Sequence, residues 1–391
     1  MKRINTLLLF FASLMSLTSS AQDFASGADV SWCTEMEASG KYFYNSSGQQ
    51  TEMMALLAQL GMTAVRLRVW VNPENAYGPW CDKADVVAKA KRAKNAGLDV
   101  MIDFHYSDFF ADPGRQTKPT AWKTYTFEQL KQAVNDHTVD VLQALKDEGV
   151  TPKWVQVGNE TRVGMIWNDG KIVWNNSQPW AGYVALSNAG YDAVKSVFPS
   201  ALVIVHLDRA PESNSWFFQQ FKDNGGKFDA IGLSHYPETS TWQANNISTA
   251  SNIRSLHNTF QVPVILVETG YYWNSDNTEA EEVMTDLFSR TKTISGCGGI
   301  FYWEPEVYNW WKPTYYQNLG WNAYNKGAFN ANGRPSAALN PFNIGGPTGI
   351  NSAEVVSDKP DQTYDLMGRK VDATQLKRGI YIRGNKKVMV K

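Results

Sequence analysis

Cysteine and histidine are scarce, at three and five in 391 residues, and neither sign of charge prevails: 37 basic residues face 38 acidic ones. A net charge of −1 leaves no electrostatic footprint for nucleic acid and no general pull toward an anionic membrane. Cys33, Cys81 and Cys297 are spaced too widely for a zinc site. The run that opens the fold, Gly27-Ala28-Asp29-Val30, is not the glycine-rich phosphate loop of a doubly wound sheet. Long apolar stretches are also missing apart from Leu7 to Leu17, which is too short to span a bilayer. That stretch follows Lys2 and Arg3 and precedes the small residues Ser19, Ser20 and Ala21, so residues 1–21 read as a signal peptide. The expected mature chain starts at Gln22 and is exported: secreted, periplasmic or at the cell surface. No cysteine follows the apolar run closely, so no lipid anchor is indicated.

Aromatic side chains, by contrast, are abundant: 13% of residues, with 15 tryptophans. An indole offers a flat apolar face and an N–H donor, which suits the C–H faces of sugar rings. Eight short apolar runs recur, at Gly27–Trp32, Ala64–Trp70, Val100–Tyr106, Trp154–Glu160, Leu202–Asp208, Ala230–Tyr236, Val264–Gly270 and Gly299–Glu304. Each is followed by a polar or aromatic loop and then by helical periodicity. Thr126 with Gln129 forms a capping-box pattern before Leu130, Val134, Val141, Leu142 and Leu145, and Gly149 stops that helix. Asp82 opens another, with Val86, Val87, Ala90 and Ala93 inward and Gly97 closing it. Repeated strand-then-helix units of this length predict an α/β chain, a (β/α)8 TIM barrel over residues 22–342. Residues 343–391 read as a linker and a small β-rich C-terminal tail module, with strands at Thr363–Leu366, Gly379–Arg383 and Lys387–Val390 and a turn at Met367-Gly368-Arg369.

A barrel of this kind builds its site at the C-terminal ends of its strands. Those ends carry Asp29, Arg66, Arg68, His105, Asn159, Glu160, His206, Asp208, His235, Tyr236, Glu268, Trp303 and Glu304. Polar groups ending apolar runs are costly if buried alone, so they are expected to converge. Glu160 and Glu268 end the fourth and seventh runs and face each other across the mouth. Two carboxyls in unequal environments are the minimum for glycoside cleavage, one kept protonated for the leaving oxygen and one ionised for attack. A spacing of roughly 5–5.5 Å is expected for a retaining reaction. Asn159 is placed to donate to the sugar 2-hydroxyl, Tyr236 to hold the nucleophile ionised, and Glu304 to act structurally. His105, His206 and His235 raise a metal-hydrolase alternative, but the first strand has no His-x-His pair, and they are expected to be hydrogen-bonding wall residues. Cys33 and Cys81 follow neighbouring strands at the same rim and are expected to be bonded, leaving Cys297 at the other end.

The segment Phe104-His-Tyr-Ser-Asp-Phe-Phe-Ala-Asp-Pro-Gly-Arg-Gln, with Trp122 after it, resembles a signature of the endo-β-1,4-galactanases, glycoside hydrolase family 53 of clan A. So do Val65-Arg-Leu-Arg-Val-Trp-Val-Asn-Pro, Gln156-Val-Gly-Asn-Glu, His206-Leu-Asp, Val267-Glu-Thr and Phe301-Tyr-Trp-Glu-Pro. The resemblance runs from about Gly27 to Phe342. It implies a retaining endo-hydrolase of the β-1,4-galactan side chains of pectin (type I arabinogalactan), with Glu160 as acid/base and Glu268 as nucleophile. Arg66, His105, Trp122, Asn159, Asp208, Tyr236 and Trp303 are implied on the substrate wall. The implied partners are galactan and galacto-oligosaccharides, with no nucleic acid, no cofactor and a monomeric chain. Two departures are visible: the sixth strand ends Ser234-His235-Tyr236, and the segment Thr269 to Asn277 is short where relatives often carry a longer loop that sometimes holds calcium. Glu306 to Trp321 is aromatic-rich and is expected to form distal subsites. The C-terminal YDLMGRKV…LKRGIYIRGNKKVMVK resembles sorting tails of secreted Bacteroidetes proteins; a small β-module is the alternative. Another clan A endo-glycanase (mannanase or cellulase) and a non-catalytic glycan-binding barrel remain the functional alternatives.

Overall fold

The computed structural model describes residues 24–73, 78–173, 180–272, 278–345, 363–365, 370–371, 379–383 and 386–390. The proposed signal peptide, the segment 273–277 and the turn at 367–369 lie outside the described residues.

Eight parallel strands close into a barrel: β1 (Ala25–Asp29), β2 (Ala64–Val69), β3 (Asp99–Phe104), β4 (Trp154–Val157), β5 (Leu202–Leu207), β6 (Ala230–His235), β7 (Val264–Thr269) and β8 (Cys297–Trp303). β8 pairs with β1 and completes the ring. The strands are buried on both faces, so alternation is between two interiors. On β2, Val65, Leu67 and Val69 pack outward in the large core beneath the helices, while Ala64 joins a small inner cluster with Met101, Trp154, Ile204, Ile265 and Phe301. Trp154 meets Phe301 edge to face at 6.0 Å. Gly27 is needed beside them, because a Cβ there would lie 2.5 Å from the Phe301 ring. Two residues further along β1 to β5 the filling turns polar, with Asp29, Arg66, Asp103, Gln156 and His206 all buried.

Helices α1 (Cys33–Ala38), α2 (Met53–Gln59), α3 (Lys83–Asn95), α4 (Phe127–Asp147), α5 (Trp180–Val197), α6 (Ser215–Asp223), α7 (Trp242–Phe260) and α8 (Thr278–Thr291) connect the strands; α9 (Thr314–Leu319) lies in the loop after β8. Thr126 and Gln129 form the capping box at the start of α4, and Asp82 caps α3 by accepting from Asp85 N at 2.8 Å. The inward face of α3 differs from the expected one. Lys89 is buried there, held by Asp85 at 2.6 Å and by the Ser31 carbonyl at 2.7 Å, whereas Val87 is half-buried.

Two strand boundaries move for local reasons. β1 ends at Asp29 rather than Trp32, since Asp29 Oδ1 accepts from both Ser31 N and Ser31 Oγ and turns the chain. β4 ends at Val157 rather than Glu160, because Gly158 takes φ +84° and Glu160 follows at φ 47°. The tail residues form a four-stranded antiparallel sheet, in the order Lys370–Val371, Thr363–Asp365, Gly379–Arg383, Lys386–Val390. The expected Cys33–Cys81 bond is not formed: all three cysteines are free and buried. Cys81 Sγ faces the Ser31 carbonyl at 3.7 Å, and burial pushes its thiol up to about 12.

Candidate active site

Position along a strand accounts for much of the site. Ala64, Arg66 and Arg68 alternate with outward residues on β2, so both guanidiniums enter the barrel. Arg66 Nη1 meets Asp29 at 2.7 Å and Glu268 Oε1 at 2.9 Å, and its Nη2 meets Asp103 at 2.8 Å and Asn159 Oδ1 at 2.9 Å. Three carboxylates around one buried guanidinium raise its pKa despite desolvation. Arg68 points into a neighbouring compartment. Its guanidinium carbon sits 4.7 Å from the Phe110 ring, 5.1 Å from Trp32 and 5.4 Å from Trp70, and Nη1 bonds Glu304 Oε1. Glu304 Oε2 accepts from Trp32 N at 3.1 Å, so this carboxylate ties β8 to β1 and does not line the cavity.

Glu268 reaches the same interior by a register irregularity. Leu266 pairs with Leu233 and with Ile300, but Glu268 pairs with Ser234 and Thr269 with Tyr302, so Val267 is skipped on both sides. Val267 packs in the inner cluster, yet the next residue also points inward, which strict alternation forbids and a bulge permits. Tyr236 donates to Glu268 Oε2 at 2.9 Å, leaving Oε1 to Arg66. Burial raises the Glu268 carboxyl to about 7, with Arg66 opposing and Asp103 and Asp29 adding to the rise.

Glu160 is set by the turn after β4. Its backbone N–H donates to His206 Nδ1 at 3.2 Å, and His206 Nε2 faces Ser234 Oγ at 2.8 Å. These neighbours assign the neutral His206 tautomer with the proton on Nε2. Burial and the nearby Arg66 hold its pKa well below the usual value. Burial first, and then the Glu268 charge, push the Glu160 carboxyl well above the usual range. No cation pairs with Glu160 among the described residues.

Both glutamates line one cavity of about 300 Å³ together with His105, Asn159, Tyr236 and Trp303. Arg66 lies beneath its floor. Asp208 lines an adjoining cavity that also touches Glu160, and its Oδ1 accepts from Arg162 Nε at 2.8 Å. His105 Nε2 faces Asp103 at 2.9 Å while its Nδ1 accepts from Ala111 N at 3.0 Å. Asn159 Nδ2 donates to the Ala111 carbonyl at 2.8 Å. Trp122 does not join this wall. It lies in a separate depression with Tyr125 and His137, its ring 6.2 Å from the His137 ring, because the loop after β3 carries it past the mouth onto α4. His235 is likewise no wall residue. It points outward to α7, with Nε2 2.7 Å from Asn246 and Nδ1 3.1 Å from Thr249.

Several lining residues were not anticipated: Phe110, Asp112, Tyr324 and Lys326. The first two lie inside the quoted Phe104–Gln116 segment; the last two sit in a loop without periodicity. Tyr316 and Trp321, expected at distal subsites, face the glutamates' own cavity. Asp103 and Gln156 were also missed, although a polar residue inside an otherwise apolar strand was a usable signal.

The model of Glycosyl hydrolase family 53 matches residues 25–295. The chain is 34% identical over 324 residues to an arabinogalactan endo-β-1,4-galactanase of Cellvibrio japonicus, covering 75% of this chain and 84% of the relative. It is 31% identical to an endo-β-1,4-galactanase of Bacillus subtilis, covering 73% and 70%. Among solved structures, the GH53 catalytic domain of Ignisphaera aggregans superposes with a TM-score of 0.72 at 27% identity, over 83% of this chain and 96% of that one. A structure from a study of two fungal β-1,4-galactanases gives a TM-score of 0.69 at 28% identity, over 81% and 98%. With the family match spanning most of the barrel, the chain belongs to glycosyl hydrolase family 53.

Proposed function

We propose that the chain hydrolyses internal β-1,4-galactosidic bonds of galactan with retention, Glu160 acting as acid/base and Glu268 as nucleophile. The observation that carries this reading is the asymmetry of two carboxyls in one cavity. Glu268 is held by Arg66 and Tyr236, which favour its anion, whereas Glu160 has the Glu268 charge beside it and no paired cation among the described residues. One proton shared by such a pair resides on Glu160.

In the first step Glu160 gives its proton to the glycosidic oxygen as that bond breaks, and a Glu268 oxygen bonds to the anomeric carbon. In the second, Glu160 takes a proton from water, whose oxygen displaces Glu268 from the same carbon. The second Nδ2 hydrogen of Asn159 serves the sugar 2-hydroxyl, since the first is taken by Ala111. Trp303, Tyr316, Trp321 and Tyr324 supply faces for the rings. The chemistry is complete with side chains, so no cofactor is assigned, and EDTA is expected to leave turnover unchanged. We assign residues 1–21 to export, and galacto-oligosaccharides as products of a monomeric enzyme.

The names of the relatives in Cellvibrio and Bacillus support galactan as substrate. Reducing-end release from linear β-1,4-galactan, β-mannan and cellulose, followed by product sizing, tests this. Galactan is expected to yield a ladder of oligosaccharides; release from mannan or cellulose in its place contradicts the reading.

A further inference from the structure

Beside the catalytic cavity lies a second one of about 530 Å³, between the loop after β3 and the loop after β4. Its lining includes Arg115, Lys118, Lys123, Asp169 and the half-buried Trp167. The two walls are pinned together. Trp167 N donates to the Gln116 carbonyl at 2.7 Å, Thr117 bridges to Trp167, and the hairpin Gly164–Met165/Gly170–Lys171 braces the second wall. The cavity is therefore formed before any ligand arrives, which lowers the ordering cost of binding.

Its chemistry is specific. Three cations face one carboxylate, and that carboxylate is taken, because Asp169 pairs with Lys118 at 2.5 Å. Arg115 and Lys123 have no carboxylate partner among the described residues, in a chain whose net charge is only −1. The Arg115 guanidinium lies instead over Phe109 at 5.5 Å and over Trp321 at 5.0 Å. The Trp167 indole N–H is spent on the Val163 carbonyl at 2.9 Å, and Lys171 Nζ stands 4.3 Å from its ring. What this indole offers a ligand is a face rather than a donor. A simple inorganic anion has no use for that face, and a neutral sugar has no use for unpaired cations.

We propose that this cavity binds a sugar bearing a carboxylate, a uronate unit of an acidic polysaccharide, with its C–H face on Trp167 and its carboxylate on Lys123 and Arg115. The choice of a glycan rests on the hydrolase reading above. Trp321 lines the catalytic cavity and stacks on Arg115, so the two cavities adjoin. A neutral branch in the cleft and an acidic unit in the second cavity then belong to one branched substrate.

The test is calorimetric titration of the full chain with trigalacturonate, alongside its fully methyl-esterified form and inorganic sulfate. Saturable binding of trigalacturonate is expected, weakening as salt rises. Lys123→Glu, at an exposed position, is expected to weaken it by about tenfold or more, since a charge-assisted contact becomes repulsive. Trp167→Leu should weaken trigalacturonate without changing sulfate. Hydrolysis of linear galactan by Lys123→Glu should match the wild type, which checks folding and keeps this test separate from the catalytic one. Absence of saturable binding, equal binding of the methyl ester, or an unchanged Lys123→Glu titration overturns the proposal. Failure of the wild type to cut galactan overturns the hydrolase reading instead.

Discussion

Tyr236 and Arg66 divide the Glu268 carboxylate between them: the phenol donates to Oε2 and the guanidinium lies on Oε1, each at 2.9 Å. This fixes the carboxylate plane, and both contacts favour the ionised form. Burial opposes them and, with the nearby Asp103 and Asp29, leaves Glu268 at about 7.

A pH dependence follows. A nucleophile must be ionised, so kcat/KM on galactan should fall as pH drops below about 7, where Glu268 takes up a proton. In the proposed reaction the alkaline limb belongs to Glu160, which as the acid must hold its proton and whose pKa lies well above the usual range. Arg66→Lys keeps one charge but cannot bond Asp29, Asp103 and Glu268 together, so the acid limb should move to higher pH. An acid limb that stays in place in this variant means that Arg66 does not set the Glu268 charge.

The same electrostatics has a sign in stability. A carboxyl whose folded pKa is raised contributes stability below its unfolded value, and that contribution is lost as pH rises toward the folded value. Glu160 is such a group. Glu160→Gln removes the ionisation, so its melting temperature should match the wild type near pH 4 and exceed it by about 2 °C at pH 8, for about 1 kcal/mol. Melting curves across that range check it; a gap that shrinks as pH rises contradicts the assignment.

Trp122 and Trp303 should separate cleanly. Trp303 lines the catalytic cavity, 4.8 Å from the Tyr324 ring, and Trp303→Ala should lower kcat/KM on galactan by about tenfold through lost ring contact. Trp122 packs on His137 in its own depression. Trp122→Phe should therefore leave both kcat and KM unchanged, and a raised KM there places substrate far outside the cavity described.

Much of this architecture was legible because the barrel repeats one signal eight times: a short apolar run, then a polar or aromatic loop, then helical periodicity, with side-chain caps marking the helices that start after Asp82 and Thr126. Val155 to Val157 and Val264 to Val267 could be read as strands from their apolar runs, and Glu160 and Glu268 as mouth residues following them, although β4 itself stops at Val157 and Glu160 sits in the turn beyond it. Geometry set by backbone irregularity was not legible. Nothing in Val-Ile-Leu-Val-Glu reveals that Val267 is skipped in both ladders, which is what turns Glu268 inward. Strand ends also do not reveal facing: His235 ends its run as the mouth-lining residues end theirs, yet it points to α7. Long loops hid the rest: Trp122 travels out of the site, whereas Tyr324 and Lys326 travel in.

The division of labour between Glu160 and Glu268 is tested most directly by trapping. Incubation with a 2-deoxy-2-fluoro galactosyl donor carrying a good leaving group slows the second step and lets a glycosyl-enzyme accumulate. Peptide mapping by mass spectrometry then locates the sugar. The account predicts one label, on the peptide containing Glu268, with activity returning as the label is discharged to water. A label on Glu160, or an α-configured first product with no label at all, contradicts it.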